Sequence, residues 1–556
     1  MNGAKLVLEC LKREKVNTLF GYPGGAVIPL YDALFDYKDD FVHIRGSHEQ
    51  GIIHAADGYA RATGKVGVGI VTSGPGATNA ITAIATAYMD SSALVVISGQ
   101  VGTALLGKDS FQEIDITGMT LSVTKHNYLL RNTREIAPTI KEAFKIAQSG
   151  RKGPVLIDIP KNLFTEEIDF NPFNDEYFSI DEKDYNIGFK EFTFEDIEKA
   201  IEMISNSKKP VIYAGGGIKS SNSFDELLEF ATKQDIPVVN TLMGLSGIDR
   251  DNPLSLGLMG MHGFKEANFA VSKADLIIAL GARFSDRGTG LTDSFAKDAK
   301  KIHIDIDKSE INKNIKTDLE IIGSSKIVLP LLTKNLEKKD RSKWKKEINS
   351  FKEESKIDKE IFHPKNILEV LNKAYEKEET ILVTDVGQHQ MWAAQYWNFK
   401  NGKNFITSGG LGTMGFGLGA AIGACVGKSE KKTILVTGDG SFRMNMNELA
   451  TVNDYNLPIV IVLFNNNTLG MVRQWQKLFS NKRYSQTDIK ANIDYKKLTD
   501  AFNIKSFEVN SIDNLKKILE NYNNKEPIFI QCNIDKDFDV YPIVPPNDNL
   551  EHLIVG

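Results

Sequence analysis

Cysteine is scarce in this chain: Cys10, Cys425 and Cys532 are the only three, widely separated among 556 residues. No CxxC pair occurs, so a disulfide framework is not expected and the pattern points to a reducing, cytoplasmic compartment. Charge bias is lacking too. With 67 basic and 72 acidic residues the net charge is −5, which leaves no basic footprint for nucleic acid and no polybasic membrane surface. The opening MNGAKLVLECLKREKVNTLFGYPGG carries charges throughout and lacks the pattern of a secretory leader. Residues 405–427 form a long uncharged stretch, but eight of them are glycine. That composition predicts a glycine loop feeding a tightly packed helix, not a membrane span. Two familiar motifs are also missing. His48-Glu49 is followed by Ile52, so no HExxH zinc site exists. No GxGxxG follows an expected strand, which argues against a nicotinamide-dependent dehydrogenase.

What is present is ordinary globular composition, 42% apolar and 25% charged, in a chain long enough for three domains. Buried β-branched runs alternate with helical segments. The first third carries NTLFG, VGVGIV, ALVVISGQV and GPVLIDIP, and the middle KPVIYA, IPVVN, ADLIIAL and KIHID. The last third carries TILVT, KTILVTG, LPIVIVLFN and PIFIQCN. The fold class is therefore α/β, with three doubly wound parallel-sheet domains over 1–165, 190–335 and 363–556. The first and last thirds read as two copies of one architecture. Residues 162–194 read as a linker, and the charge-dense 334–362 as a solvated helical connection. No fused regulatory domain is expected after the last strand.

The strongest chemical signal is Gly438-Asp439-Gly440, followed one crossover later by Asn465-Asn466. Each ends a predicted buried strand. A β-α-β unit brings both loops to one carboxyl edge of the sheet, where open α/β sheets bind ligands. Asp439 can offer a carboxylate oxygen, Asn466 an amide oxygen and the backbone near Thr468 a carbonyl. That oxygen set suits Mg²⁺ shared with phosphates. The spacing is the signature of thiamine-diphosphate enzymes. Glu49 fits the same chemistry. On a helix it shares a face with Ile53, Ala56 and Ala60, where an acid needs a partner. A protonated carboxyl there can hydrogen-bond the aminopyrimidine of thiamine, and apolar surroundings would raise its pKa.

Together with FGYPGGAVIPLYDAL, HEQGIIHAADGYARATG, TSGPGATNAIT, FQEIDI, GMHG, GARFSDR, SGGLGTMGFGLGAAIGA, GDGSFRMN and GMVRQWQ, these motifs resemble the large catalytic subunit of acetohydroxyacid (acetolactate) synthases. The resemblance runs from Phe20 to Pro545. It implies the three-domain thiamine-diphosphate enzyme fold and a homodimer or homotetramer with the cofactor between subunits. It also implies a small regulatory subunit in some cases, 2-oxo acids as substrates, and thiamine diphosphate, Mg²⁺ and a non-redox FAD as cofactors. Carried over, Glu49 is the activating acid, with Asp439 and Asn466 on the metal. Val386, Gly387, Gln388, His389, Gly412, Met414, Gly440, Ser441 and Met444 match positions around the diphosphate and thiazolium, and Gln112 one close to the cofactor. Phe111, Lys161, Met261, Arg287 and Trp475 match the substrate pocket. For the flavin the matching positions are Arg151, Gly215, Gly216, Gly217, Thr241, Leu242, Met259, Gly260, Met261, His262, Gly281, Ala282, Arg283, Asp305 and Ile306. The pattern departs from the family at Ser285 and Ser324, near the expected flavin site, where aspartate is usual. It departs again at Gly102 and Gly419, where proline is usual, expected to alter loop stiffness. The implied reaction is decarboxylation of pyruvate and condensation with pyruvate or 2-oxobutyrate. The alternatives are a pyruvate oxidase or decarboxylase of the same superfamily, and a non-catalytic subunit of that fold.

Overall fold

The computed structural model describes residues 1–173, 191–352, 357–490, 493–523 and 525–556. Eighteen strands among them form three six-stranded sheets, parallel throughout. The first holds β1 (Thr18–Gly21), β2 (Val42–Arg45), β3 (Gly67–Val71), β4 (Leu94–Gln100), β5 (His126–Leu129) and β6 (Pro154–Pro160). The second holds β7 (Pro210–Ala214), β8 (Val238–Asn240), β9 (Ser255–Leu258), β10 (Leu276–Leu280), β11 (Lys300–Asp305) and β12 (Leu319–Ile322). The third holds β13 (Thr380–Thr384), β14 (Phe405–Ile406), β15 (Lys432–Gly438), β16 (Val460–Asn465), β17 (Lys505–Val509) and β18 (Ile528–Asn533).

The outer two sheets run β2-β1-β3-β4-β6-β5 and β14-β13-β15-β16-β18-β17. Counted from its own first strand, each has the order 2-1-3-4-6-5. They are copies of one architecture. The middle sheet, β12-β11-β10-β7-β8-β9, is the doubly wound dinucleotide-binding order, with its switch point between β7 and β10.

All twelve runs expected from the sequence are strands. The six that no run announced are β2, β5, β9, β12, β14 and β17, the two edges of each sheet. Interior parallel strands are covered on both faces and are therefore largely apolar. Edge strands are free of that demand: β2 and β5 are largely exposed or half-buried, and β14 is only two residues long.

The first and third domains share one core, in which Ile52 and Ala56 pack with Leu418, Ala421 and Leu435. At its centre the helix Glu49–Thr63 crosses the helix Phe416–Gly427 with backbones touching. A side chain at Gly58 would strike the carbonyl of Ala420, and one at Gly423 that of Ala55. The glycines of 405–427 serve this contact, and Gly419 stands inside that helix against Gly51 and His54, not in a loop. No helix among the described residues is long and apolar enough to cross a membrane. All three cysteines are free and buried.

One expectation needs correcting. The charge-dense 334–362 is not simply a solvated connection. Its helix Ser342–Asn349 buries Trp344 and Ile348 against the central domain, and the Trp344 indole N–H donates to the Pro210 carbonyl at 3.2 Å. Two apolar anchors four residues apart suffice to dock a helix whose other face is charged. Of the linker 162–194, residues 174–190 lie outside the described residues; Lys161–Thr165 form a short helix, and the helix Phe194–Asn206 opens with a capping box at Thr193.

Candidate active site

β15 and β16 are neighbours with Gly438 opposite Phe464, so the GDG and Asn-Asn loops leave the third sheet side by side. The carboxylate of Asp439 lies near the backbone N–H groups of Gly440 on its own loop and Asn467 on the other. Burial pushes its pKa up to about 6. Its Oδ2 is buried without a donor among the described residues, the signature of an acceptor kept for a ligand. Asn466 turns its amide nitrogen to Gln388 Oε1 at 3.4 Å, and its Oδ1 accepts the Thr468 N–H at 3.3 Å. Gln388 in turn donates to Gln474 Oε1 and to the Phe538 carbonyl. Ser441 Oγ donates to the Val386 carbonyl at 2.6 Å.

The helices Gln388–Tyr396 and Gly470–Phe479 begin beside these loops, so free N–H groups and positive helix ends face one place. That is how backbone binds a diphosphate. Gly387 at φ +151 and Gly412 at φ +70 adopt conformations that strain any side chain. His389 is buried against Gly438; burial holds its pKa down to about 3, so it is neutral, and its Nε2 has no partner among the described residues. An oxygen donor set, an orphan carboxylate oxygen and ready N–H groups fit a magnesium diphosphate.

These loops form one end of a cavity of about 1660 Å³ that continues into the central domain. Small-molecule sites usually enclose about 300–1,000 Å³, so there is room for more than one ligand. At the far end the backbones of Gly217 and Gly281, following β7 and β10, leave no space for a side chain on either, and they mark the switch point of the middle sheet. Gly216, Thr241, Leu242, Met259, His262, Ala282, Asp305 and Ile306 line the same groove, as do Ser285 and Ser324. Gly215, Gly260 and Met444 do not line it. The two arginines matched to flavin contacts already have protein partners. Arg151 pairs with Glu310 at 2.7 Å and Asp307 at 3.5 Å, and Arg283 donates to the Met89 carbonyl at 2.7 Å.

Between the two ends, three residues from distant stretches meet. Arg287 lies over the ring of Trp475 at 5.2 Å and its Nη1 is 3.6 Å from the Met261 sulfur. The Arg287 carbonyl accepts the Met261 N–H at 2.8 Å, fixing the pair. Among the described residues no buried carboxylate pairs with Arg287; the exposed Asp286 lies 3.8 Å away. A planar cation beside an aromatic wall and a flexible thioether suits a small carboxylate with an alkyl tail.

The other expected residues are elsewhere. Glu49 is the first residue of its helix, half-buried, and its Oε2 accepts from Asn79 Nδ2 at 3.0 Å. The apolar enclosure expected around it is not supplied by its own chain. Ile53 and Ala56 face the core, whereas Glu49 stands one turn earlier, at the open carboxyl edge of the first sheet. Phe111 is 88% exposed, Lys161 is exposed, and Gln112 holds a left-handed φ of +62 beside Gly74. None of these four lines the cavity.

Residues 1–119, 197–332 and 385–532 match the N-terminal TPP-binding, central and C-terminal TPP-binding domains of thiamine pyrophosphate enzymes. The chain is 45% identical to the probable acetolactate synthase large subunit of Methanocaldococcus jannaschii, covering 100% of this chain and 95% of that protein. It is 44% identical to the acetolactate synthase large subunit of Lactococcus lactis, over 100% and 96%. With the acetolactate synthase isozyme 2 large subunit of Escherichia coli it shares 43%, over 100% and 99%. The chain belongs to the thiamine-pyrophosphate-dependent acetolactate synthase large-subunit family.

In this family member the sequence motifs left one organising residue unnoticed. Asp385, directly after β13, is buried and accepts the N–H groups of Val386 and Gly415 at 2.9 Å and of Gly417 at 3.3 Å. It holds the loop carrying Met414 to the loop carrying Val386 and Gly387. Burial raises its pKa to about 6. The clue was an acid, Asp385, closing the apolar run ILVT.

Proposed function

We propose that this acetolactate synthase family member decarboxylates pyruvate and joins the two-carbon unit to a second 2-oxo acid, pyruvate or 2-oxobutyrate. That is the first common step of branched-chain amino-acid biosynthesis. The observation that carries the reading is the single cavity joining the Asp439–Asn466 clamp to Arg287, Met261 and Trp475. Thiamine diphosphate, when bound, would supply a nucleophilic ring carbon and an electron sink for the pair left by departing CO₂.

The chain's residues do the rest. Asp439, Asn466 and the Thr468 carbonyl would hold Mg²⁺, which would neutralise the diphosphate charge. Gly440, Ser441 and the start of the helix Gln388–Tyr396 receive its remaining oxygens. Glu49 holds a proton against the aminopyrimidine and exchanges it with that ring. Arg287 grips the carboxylate of the acceptor acid through its planar fork, and Trp475 bounds its alkyl group.

Glu49, Phe111, Gln112 and Lys161 lie outside the cavity of their own chain. This supports a homodimer, or a homotetramer of such dimers, in which the first domain of one subunit closes on the third domain of its partner. The switch-point glycines and the groove around them support a bound, non-redox FAD. The relatives' designation as large subunits supports a small regulatory partner. The domain limits we assign are 1–165, 190–335 and 363–556.

The test is an inventory of products when the purified chain meets pyruvate, thiamine diphosphate and Mg²⁺. Acetolactate is expected. Predominant acetaldehyde, or oxygen uptake, would overturn the reading in favour of a decarboxylase or an oxidase.

A further inference from the structure

The helix that presents Glu49 is gripped at its entrance by the third domain. Glu448 lies at the end of the single 3₁₀ turn Met446–Glu448, fully buried, nine residues beyond Asp439. Its carboxylate crosses the domain boundary. Oε1 accepts the Ser47 N–H at 3.1 Å and the His48 N–H at 3.0 Å, and Oε2 lies 3.2 Å from the Ser47 nitrogen. Thr451 Oγ1 donates to Oε2 at 2.6 Å and lies 3.4 Å from Ser47 Oγ. The carboxylate also packs on Gly51, where an added side chain would strike it.

Neighbouring contacts tighten the same seam. Arg45 pairs with Asp454 at 3.0 Å and gives its N–H to the Tyr455 hydroxyl at 2.8 Å, and that hydroxyl donates to the His43 carbonyl. On the helix itself, His48 Nδ1 caps the Gln50 N–H at 3.1 Å. Glu49 thus sits between two residues held from outside its own domain and one turn packed against them.

We infer that Glu448 is a positioning residue for proton exchange at Glu49, fixing the first turn of that helix through the backbone of Ser47 and His48. The inference rests on the assigned role of Glu49. A carboxylate accepting two main-chain N–H groups allows the turn one azimuth, and so gives the Glu49 side chain one direction of approach to a ring bound outside its own domain. Charge-assisted bonds of this kind are stronger than neutral ones, and a displacement of about 1 Å at a reacting group costs on the order of 10²-fold in rate.

The experiment measures deuterium exchange of the thiazolium ring proton in the magnesium-loaded holoenzyme, with thiamine diphosphate affinity measured separately. Glu448→Ala is expected to slow exchange by roughly 10-fold or more with cofactor affinity little changed. Glu448→Gln, which keeps an acceptor oxygen for both N–H groups, is expected to restore most of it. If Glu448→Ala does not fold, Glu448→Asp, withdrawn by one methylene, must show the same slowing. Exchange at the normal rate per folded holoenzyme in the Ala or Asp variant overturns the inference, whatever happens to melting temperature. Glu49→Gln, run in parallel, separates the two ideas. Normal exchange there removes the underlying role of Glu49, whereas its loss there beside normal exchange in the Glu448 variants removes only the role of Glu448.

Discussion

The first and third sheets share one strand order, yet their carboxyl edges could hardly differ more. The third is walled in: Asn466, Gln388 and Gln474 interlock, two helix starts face inward, and the central domain closes the other side. The first is open, with Glu49 half-buried on a single amide partner and Phe111 projecting into solvent. Identical topology therefore places loops in equivalent positions and says nothing of what they do; function follows the loop residues. One edge is enclosed within the single chain, and the other is open among the described residues.

The sharpest way to break that contrast is to disable each edge alone. Glu49→Gln should lower acetolactate formation by about 10²–10⁴-fold, the range of a general acid–base group, while thiamine diphosphate and Mg²⁺ still bind by titration. Asp439→Asn should instead lose the cofactor. Equal loss of cofactor in both variants would erase the distinction. Mixing the two inactive proteins under subunit exchange should then recover up to about a quarter of normal activity, because half of randomly paired dimers contain one intact pair of edges. No recovery after demonstrated exchange would mean that each site is built within one chain.

Smaller effects sharpen the contrast inside the enclosed edge. Arg287→Lys should raise the KM for the acceptor acid by roughly 10–100-fold, since a point charge replaces a planar fork, and should spare the decarboxylation half-reaction. Trp475→Leu should alter the preference between 2-oxobutyrate and pyruvate by about 10-fold, the worth of one methylene, read from competing products.

The smallest effect concerns Asp158 of β6 in the first domain, buried with one oxygen unpartnered and accepting from Gln100 Nε2 at 2.8 Å. Burial raises its pKa to about 7. Its folded value exceeds its unfolded one, so its favourable contribution is full below about pH 4 and is lost as pH rises to about 7. Asp158→Asn should accordingly gain stability relative to the parent between those limits, on the order of 1 kcal/mol. Urea unfolding at pH 5 and pH 8 checks the sign; a gap that narrows with rising pH would refute it.

Legibility in the sequence followed burial. Every interior strand was announced by a largely apolar run, whereas the edge strands, with one neighbour each, are short and carried no such run. The clamp was legible for a related reason: its two loops follow adjacent interior strands, so spacing along the chain translates directly into adjacency. Asp385 left only the clue of an acid closing an apolar run, and Glu448 left none, since nothing local distinguishes a buried acid that accepts backbone N–H groups from one in solvent. Trp344 and Ile348 were masked by the lysines around them.

By itself, then, the sequence determined three parallel sheets, the adjacent GDG and Asn-Asn loops and membership of a thiamine-dependent family, because periodicity and short-range spacing are properties of the chain alone. Only the tertiary structure decided that Arg287, Met261 and Trp475 meet, that Gly58 and Gly423 let two domains share a core, and that Glu49 stands apart from the clamp. Those facts depend on which surfaces pack together, and contact between residues hundreds of positions apart leaves no local trace in the chain.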